Sequence, residues 1–411
     1  MRACAHPGAR AAARYPQPVA KDKAPPGSQT SLREANRARI VDAVQKRGSI
    51  TQVELVGVTG LSAASISNIV KELTLAGVLN TTPTSRSGRR AHLVTLARNL
   101  GVVAGVHFAE RSLRAVLADV TQRVIAEQRL PLPPEHRADV SLDTAAQLVE
   151  EMLESVGAER DELLAIGVGV PAPIDPETGC VSAPGVLRAW DGAVVPDVLR
   201  QRLDVPVHVD NDANLGGLAE LRLGAAAGLR HIIYLRTSHG LGAAVIVDGR
   251  PLHGRAGLAG EIGHVAVDAD TRCRCGRTGC LESVIGADVL LASLRHDYGH
   301  LTLRDVIARA HEGEPLLRGV LADAGRRLGR ALAGACTLLD PEMIVIGGEM
   351  AHAGEILLEP LRTTVHEQAL MSTAGPVPVV AGALGDQAEV RGAIAAALEA
   401  ADIVVGRVDG T

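Results

Sequence analysis

From Leu100 onward, apolar runs of strand length alternate with stretches of helical pattern, and that alternation leaves few folds open. The runs are GVVAGVHF, RAVLADV, LLAIGVGVPAPI, VPVHVDNDAN, HIIYLRTSHGLGAAVIVDG, PEMIVIGGEM and VPVVAGAL. Nearly continuous apolar strands are buried on both faces, as in a sheet flanked by helices. The pattern predicts an α/β body, and about 310 residues suffice for two lobes with a cleft between them. Only five of the 411 residues are aromatic, so the cores must be aliphatic and platforms for stacking single-stranded nucleic acid are lacking. No run approaches the roughly 18 apolar residues of a membrane span. Residues 1–30 are rich in Ala, Pro, Gly and Arg without periodicity, lack the apolar core of a signal peptide, and are expected to be disordered. Six cysteines are too few for a disulfide scaffold at this length, which points to a reducing cytoplasm.

Charge is unevenly spread. Residues 1–98 carry fifteen Lys and Arg against five Asp and Glu, and the remainder carries 27 against 42. A basic head on an acidic body is expected to meet a polyanion. Inside the head, NRARIVDAVQKR places Ile40, Val41 and Val44 on one face of a helix from Asn36 to Arg47, ended by Gly48. A short helix over about Thr51–Val58, a turn at Thr59-Gly60-Leu61 and a third helix over Ala63–Ala76, capped by Ser62, follow. In the third helix Ile66, Ile69, Val70 and Leu73 face inward, while Ala64, Ser65, Ser67, Asn68 and Lys71 face out. Small and polar residues near a helix N-terminus suit a DNA major groove. TTPTSRSGRRAHLVTL then reads as two strands around a loop bearing Arg86, Arg89 and Arg90, which suit phosphates or a minor groove. Residues 31–97 are therefore expected to form a winged helix-turn-helix that binds double-stranded operator DNA.

GHVAVDADTRCRCGRTGCLE, beginning at Gly263, sets His264 ahead of Cys273, Cys275 and Cys280. Thiolates and an imidazole are ligands that zinc prefers, and four of them close a tetrahedron without leaving a position for an activated water. A structural Zn²⁺ is the expectation. Just upstream, HGRAGLAGEIGH packs four glycines around Glu261, and Glu282 follows Cys280 by two residues. The metal thus brackets two carboxylates suited to accept vicinal hydroxyls. VHVDNDANLGGLAE ends a strand and opens a helix, with Asp210, Asn211, Asp212 and Asn214 where open α/β folds bind ligands. Asp212 is the best candidate there for a base or hydroxyl acceptor. The same stretch can equally be a turn in which Asp212 or Asp210 caps the helix.

A winged helix followed by DNDAN, AGEIGH and CRCGRTGCLE resembles the ROK family, whose name joins repressors, open reading frames and sugar kinases; the likeness covers about residues 32–400. It implies an actin-like, two-lobed ATPase/sugar-kinase fold behind the head. The first α/β lobe would span 98–220, and the second 221–402, with the zinc motif and a closing C-terminal helix, leaving a tail over 403–411. The resemblance also implies zinc at His264, Cys273, Cys275 and Cys280, and sugar contacts from Asn211, Asp212, Glu261, His264 and Glu282. Asp212 stands at the kinases' base position.

Departures from the family concentrate on the phosphate side. Where its kinases carry Asp-X-Gly-Gly-Thr, this chain has His107, Ala109, Glu110 and Arg111. The family's second phosphate loop reads Ser238-His239-Gly240-Leu241-Gly242 here, although Gly347 and Gly348 are kept. Gly185 replaces a sugar-contacting Asn, and His264 stands one residue nearer Cys273 than in the family. The expected function is a sugar-responsive transcriptional repressor without catalysis. The alternative is an active, glucokinase-like ROK sugar kinase with a fused DNA-binding head. Operator DNA and a monosaccharide or derivative are the expected partners of a cytoplasmic homodimer or dimer of dimers, with no membrane contact.

Overall fold

The computed structural model describes residues 29–86, 89–133, 136–267, 270–370 and 373–401. Residues 1–28 and 402–411, and with them most of the expected disordered extension and the expected tail, lie outside the described residues. Helix α1 (Gln29–Arg47) starts seven residues before Asn36, taking Gln29 and Thr30 from the stretch expected to be disordered. Its added turns have no apolar stripe to betray them. They are held instead by Arg33, which pairs with Glu72 at 2.8 Å, next to Arg37 of the expected helix on the same carboxylate.

The head continues through β1 (Ser49–Thr51), α2 (Gln52–Thr59), α3 (Ala63–Leu75), β2 (Leu79–Arg86) and β3 (Arg89–Leu96). Thr51 caps α2 in a reciprocal box with Glu54, so it precedes the helix rather than opening it, and Gly60 ends α2 at φ 68°. Ser62 caps α3 through the Ser65 N–H. Ile66, Ile69, Val70 and Leu73 are the buried residues of α3. Strands β2 and β3 form the wing, and β1 adds an antiparallel third strand to β3.

The body opens with β4 (Val102–Ala109), β5 (Ser112–Asp119), β6 (Val124–Pro131), α4 (Ala138–Val156) and β7 (Leu163–Val170). Then come α5 (Val195–Leu203), β8 (Val207–Asn211) and α6 (Asp212–Leu223). This sheet runs β6-β5-β4-β7-β8, antiparallel on one side of β4 and parallel on the other. The next elements are β9 (Ile232–Thr237), β10 (Leu241–Val247), β11 (Arg250–Pro251), α7 (Glu282–Ile285) and α8 (Ala287–Tyr298). They are followed by α9 (Leu303–His311), α10 (Pro315–Leu339), β12 (Met343–Gly347), α11 (Glu355–Gln368), β13 (Val379–Ala381) and α12 (Ala388–Ala400). The second sheet, β11-β10-β9-β12-β13, repeats the topology of the first, with the same split of strand directions.

Helices α4 and α5 cover the outer face of the first sheet, and α10 and α11 that of the second. Between the sheets lie α6, packed on β9 and β10, and α12, packed on β4 and β7. The C-terminal helix expected to close the second lobe thus rests on the first, where its apolar residues meet that sheet. Helix α12 also packs unusually closely on both α6 and β7. A Cβ on Gly392 would collide with the Leu215 carbonyl, and one on Gly167 with that of Ala393.

The head is packed onto the body. One apolar cluster runs from Ile40, Val44 and Leu55 to Val116 of β5 and Ile394 and Leu398 of α12. The Gln45 side chain donates to the Leu398 carbonyl, and the Gln122 amide donates to the Gln45 carbonyl at 3.4 Å. Among the described residues, no single helix is long and apolar enough to cross a membrane.

Candidate functional site

The β8–α6 junction carries the Asp-Asn run to the cleft between the sheets. Asn211, rather than Asp212 or Asp210, is the helix cap. Its Oδ1 accepts from the backbone N–H of Ala213 (2.8 Å) and Asn214 (3.4 Å), while its Nδ2 donates to the Ala172 carbonyl at 3.1 Å. A neutral amide suits this place because it can cap and donate at once. Asp210 is used otherwise. It accepts from Asn214 Nδ2 and pairs with His253 Nε2, both at 2.8 Å, tying the loop after β11 to the start of α6. That leaves Asp212, buried in the first turn, to face the cleft.

Across the cleft, the glycine-rich loop and the cysteine loop meet. His264 Nδ1 and the Sγ atoms of Cys273, Cys275 and Cys280 all lie within 4.8 Å of one another, a group that can hold a metal ion. Tetrahedral bonds of about 2.3 Å to sulfur and 2.0–2.1 Å to nitrogen imply ligand separations of about 3.8 Å for S···S and 3.6 Å for S···N. The Cys275–Cys280 and Cys273–His264 separations are 3.7 and 3.6 Å. The one-residue shortening between His264 and Cys273 has therefore not pulled the group apart. Burial, and next the neighbouring sulfurs, push the Cys280 thiol up to about 12, so without a cation these thiols resist ionising together.

His264 turns its other nitrogen inward, with Nε2 3.9 Å from Glu261 Oε2. Burial, then the charges of Asp212 and Glu282, push the Glu261 carboxyl up to about 8. Glu282 accepts from the Leu241 N–H at 2.9 Å and takes Arg274 on both oxygens (2.8 and 3.0 Å). Asn211, Asp212, Glu261, His264 and Glu282 line one cavity of about 30 Å³, closed on one side by Arg274. That is room for about two waters. Gly185 lies beside it, with φ 83° and its N–H donating to Asp191, while the adjoining Val186 lines the wall.

Sequence reasoning missed the most densely charged part of the cleft. Arg236, near the end of β9, is buried beside three carboxylates. Its Nε lies 3.2 Å from both Asp212 Oδ2 and Glu389 Oε1, and its Nη1 lies 3.5 Å from Glu110 Oε1. Burial opposes the guanidinium's charge, but Asp212, Glu110 and Glu389 outweigh it and hold Arg236 more firmly protonated than usual. Asp212, which the sequence offered as a base or hydroxyl acceptor, is thus already paired, and His107 Nε2 approaches it at 3.4 Å. A charged residue inside the otherwise apolar run HIIYLRT was the available signal. A second cavity of about 130 Å³ shares Glu110 and Arg236 with the first and is lined further by Arg111, Arg114, Arg129 and Arg304.

At the head, Ala64, Ser67, Asn68 and Lys71 are exposed on α3, and Ser65 is half-buried through its bond to Ser62. Backbone register sets Arg86 opposite Arg89 and Ser85 opposite Arg90 at the wing tip, while the side chains of these three arginines lie outside the described part of the structure.

Residues 103–400 match the family profile described as ROK family, and residues 33–80 match one described as winged helix-turn-helix DNA-binding. The xylose repressor of Caldicellulosiruptor bescii is 27% identical over 386 residues, covering 90% of this chain and 96% of that relative. A solved ROK family transcriptional regulator, described as a homolog of the E. coli MLC protein, is 26% identical with a TM-score of 0.74, covering 92% of this chain and 100% of that one. A ROK family glucokinase from Streptomyces griseus, solved with glucose and AMPPNP, is 25% identical with a TM-score of 0.66 and covers 73% of this chain and 100% of its own.

Proposed function

The chain belongs to the ROK family, and we propose that it is a transcriptional repressor that senses a monosaccharide or sugar derivative and does not phosphorylate it. The winged helix over 31–97 binds operator DNA, with α3 in the major groove and the wing arginines on phosphates or the minor groove. Sugar hydroxyls bind between lobes that divide near residue 220, where Asn211 and Asp212 face Glu261, His264 and Glu282. Zn²⁺ on His264, Cys273, Cys275 and Cys280 fixes the wall that carries Glu261 and Glu282. When bound it supplies a rigid crosslink, and its closed ligand set leaves no place for a reacting water.

One observation carries this reading: the head and the pocket are joined through two packed helices, α12 and α6. Residues of α12 complete the core of α1, and α12 packs on α6, whose first residues line the pocket. A sugar that re-seats α6 therefore displaces α12 and, in a homodimer, changes the separation of two heads. The two relatives above that match head and body alike are named as a repressor and a transcriptional regulator, whereas the glucokinase covers 73% of this chain.

The test is a gel shift with the full chain on DNA upstream of its own gene, with and without glucose, xylose and N-acetylglucosamine. Retardation that one sugar relieves is expected. A chain that leaves the DNA unshifted, or a shift unmoved by any sugar while calorimetry is also silent, sinks the reading. Coupled ATP turnover over a hexose panel addresses the kinase alternative, and turnover that disappears in Asp212→Ala reverses it. Metal analysis should find about one zinc per chain.

A further inference from the structure

The turn between β4 and β5 makes a contact across the cleft that the proposed sugar and DNA contacts leave unexplained. Two side chains of this turn, Glu110 and Arg111, reach the second lobe. Glu110 Oε1 accepts from the Gly240 N–H at 2.8 Å and lies 3.5 Å from Arg236. Arg111 reaches Asp288 of α8 at 3.1 Å, and Asp288 in turn holds His239 Nδ1 at 3.0 Å. Gly240 is itself part of this fit, because a Cβ there would crowd Glu110 Oε1.

Burial alone would raise the Glu110 carboxyl, yet Arg236, its own backbone hydrogen bond, Arg274 and His239 bring it down to about 2. The carboxylate is therefore charged at any physiological pH. It lies where the donors of this part of the cleft converge, with a backbone N–H on one side and a buried guanidinium on the other. Such a pairing of amide and arginine binds the oxygens of phosphate-type anions as readily as those of a carboxylate. Beyond Glu110 opens the 130 Å³ cavity, where Arg111, Arg114, Arg129 and Arg304 alternate with Glu349, Asp386 and Glu389. Arg111, Arg114 and Arg304 are paired with Asp288, Glu127 and Glu349, so the cavity gives a larger oxyanion room beside the site, and cations only by exchange of partners.

We propose that Glu110 is a tethered anion: its carboxylate fills an oxyanion site formed by the Gly240 N–H and Arg236 and closes that site to phosphate-type anions. The occupied site also joins the lobes, since Glu110 belongs to the first sheet's hairpin and Gly240 and Arg236 to the second. The inference does not depend on which sugar or operator the protein recognises.

The test compares the full wild-type chain with Glu110→Ala and Glu110→Gln, titrated with inorganic pyrophosphate at matched ionic strength. Calorimetry and thermal melting are the readouts. The basic head is the same in all three, so any anion bound there contributes equally. Glu110→Ala should bind pyrophosphate at least about tenfold more tightly than wild type and gain about 3 °C in melting midpoint at saturation. Glu110→Gln should fall between, because its amide oxygen still accepts from Gly240 while its charge is gone. If Glu110→Ala folds only in pyrophosphate, that rescue is the expected result in stronger form. Three chains that respond alike overturn the proposal. So does a Glu110→Gln chain no more responsive than wild type beside an alanine variant that pyrophosphate neither binds nor rescues.

Discussion

Arg236→Met is the most informative single perturbation of the cleft, because its cost can be worked out from the contacts. The substitution removes the cation beside Asp212, Glu110 and Glu389, whose side chains are at most 13% exposed. What remains is His107 for Asp212, the Gly240 N–H with the neighbouring charges of Arg274 and His239 for Glu110, and the Tyr234 hydroxyl for Glu389. Three buried like charges so arranged cannot all stay ionised, and at least one takes up a proton on folding. Against an unfolded carboxyl pKa of about 4.1, one such proton costs about 4 kcal/mol at pH 7. That agrees with the roughly 3–5 kcal/mol lost when one member of a buried pair is removed. The sign follows from proton counting. The folded variant binds more protons than its unfolded form, so the penalty grows by about 1.4 kcal/mol per pH unit, from about 1 kcal/mol at pH 5 to about 5 at pH 8. Urea unfolding of both chains at pH 5, 6, 7 and 8 measures it. Trp190, the sole tryptophan and part of the first lobe's core, provides the fluorescence signal. A stability difference that stays flat across that range, or is below about 1 kcal/mol at pH 8, would refute the idea that Arg236 neutralises these carboxylates.

Gly392→Ala should destabilise the body by about 1–3 kcal/mol in the same assay, because the added methyl drives α12 off the Leu215 carbonyl; an unchanged midpoint would mean the helices part freely. Ser62→Ala should cost the head about 1 kcal/mol and weaken operator binding without changing zinc content, since it frees the Ser65 N–H at the start of α3. The Asp210 hydrogen bond raises the His253 pKa, so its stabilisation is full below the unfolded value of about 6.5 and is lost as pH rises through the higher folded value. The penalty of His253→Gln should therefore be larger at pH 6 than at pH 8.5, and a penalty independent of pH argues against the pair. Cys280→Ser, or chelation of the wild type, should release the metal and lower the melting midpoint and any sugar response together; loss of metal with both unchanged would deny the metal a structural part.

What could be read from the sequence follows the physics of each signal. The apolar runs announced the strands, and the spacing of Ile66, Ile69, Val70 and Leu73 announced the inward face of α3, because burial leaves a periodic trace. The His264–Cys280 cluster was legible because metal ligands are chemically narrow and lie close in sequence. The first turns of α1 were hidden, since they are held by the ion pair of Arg33 with Glu72 and carry no apolar period. The common topology of the two sheets left no repeat in the letters, because a strand asks only for apolar side chains of suitable size. Arg236 was missed for another reason. Its partners come from residues 110, 212 and 389, and only the folded chain brings those three together.

The same cleft says how a sugar would act on the proposed reading. A cavity of about 30 Å³ cannot take a monosaccharide while Arg274 stays on Glu282 and Glu110 stays on Gly240. The arrangement seen is then the one a sugar does not bind, and an effector draws the protein toward another in which these contacts have parted. Each of the pairs Glu110–Gly240, Arg236–Asp212 and Arg111–Asp288 that opens on binding subtracts from affinity and adds to the preference between states. A ligand favouring the parted state 100-fold can move the balance by about 2.7 kcal/mol and no further. Weakening the latch in Glu110→Ala should therefore raise sugar affinity while lowering operator affinity in the absence of sugar. A variant that gains the first without losing the second would break the link between pocket and head.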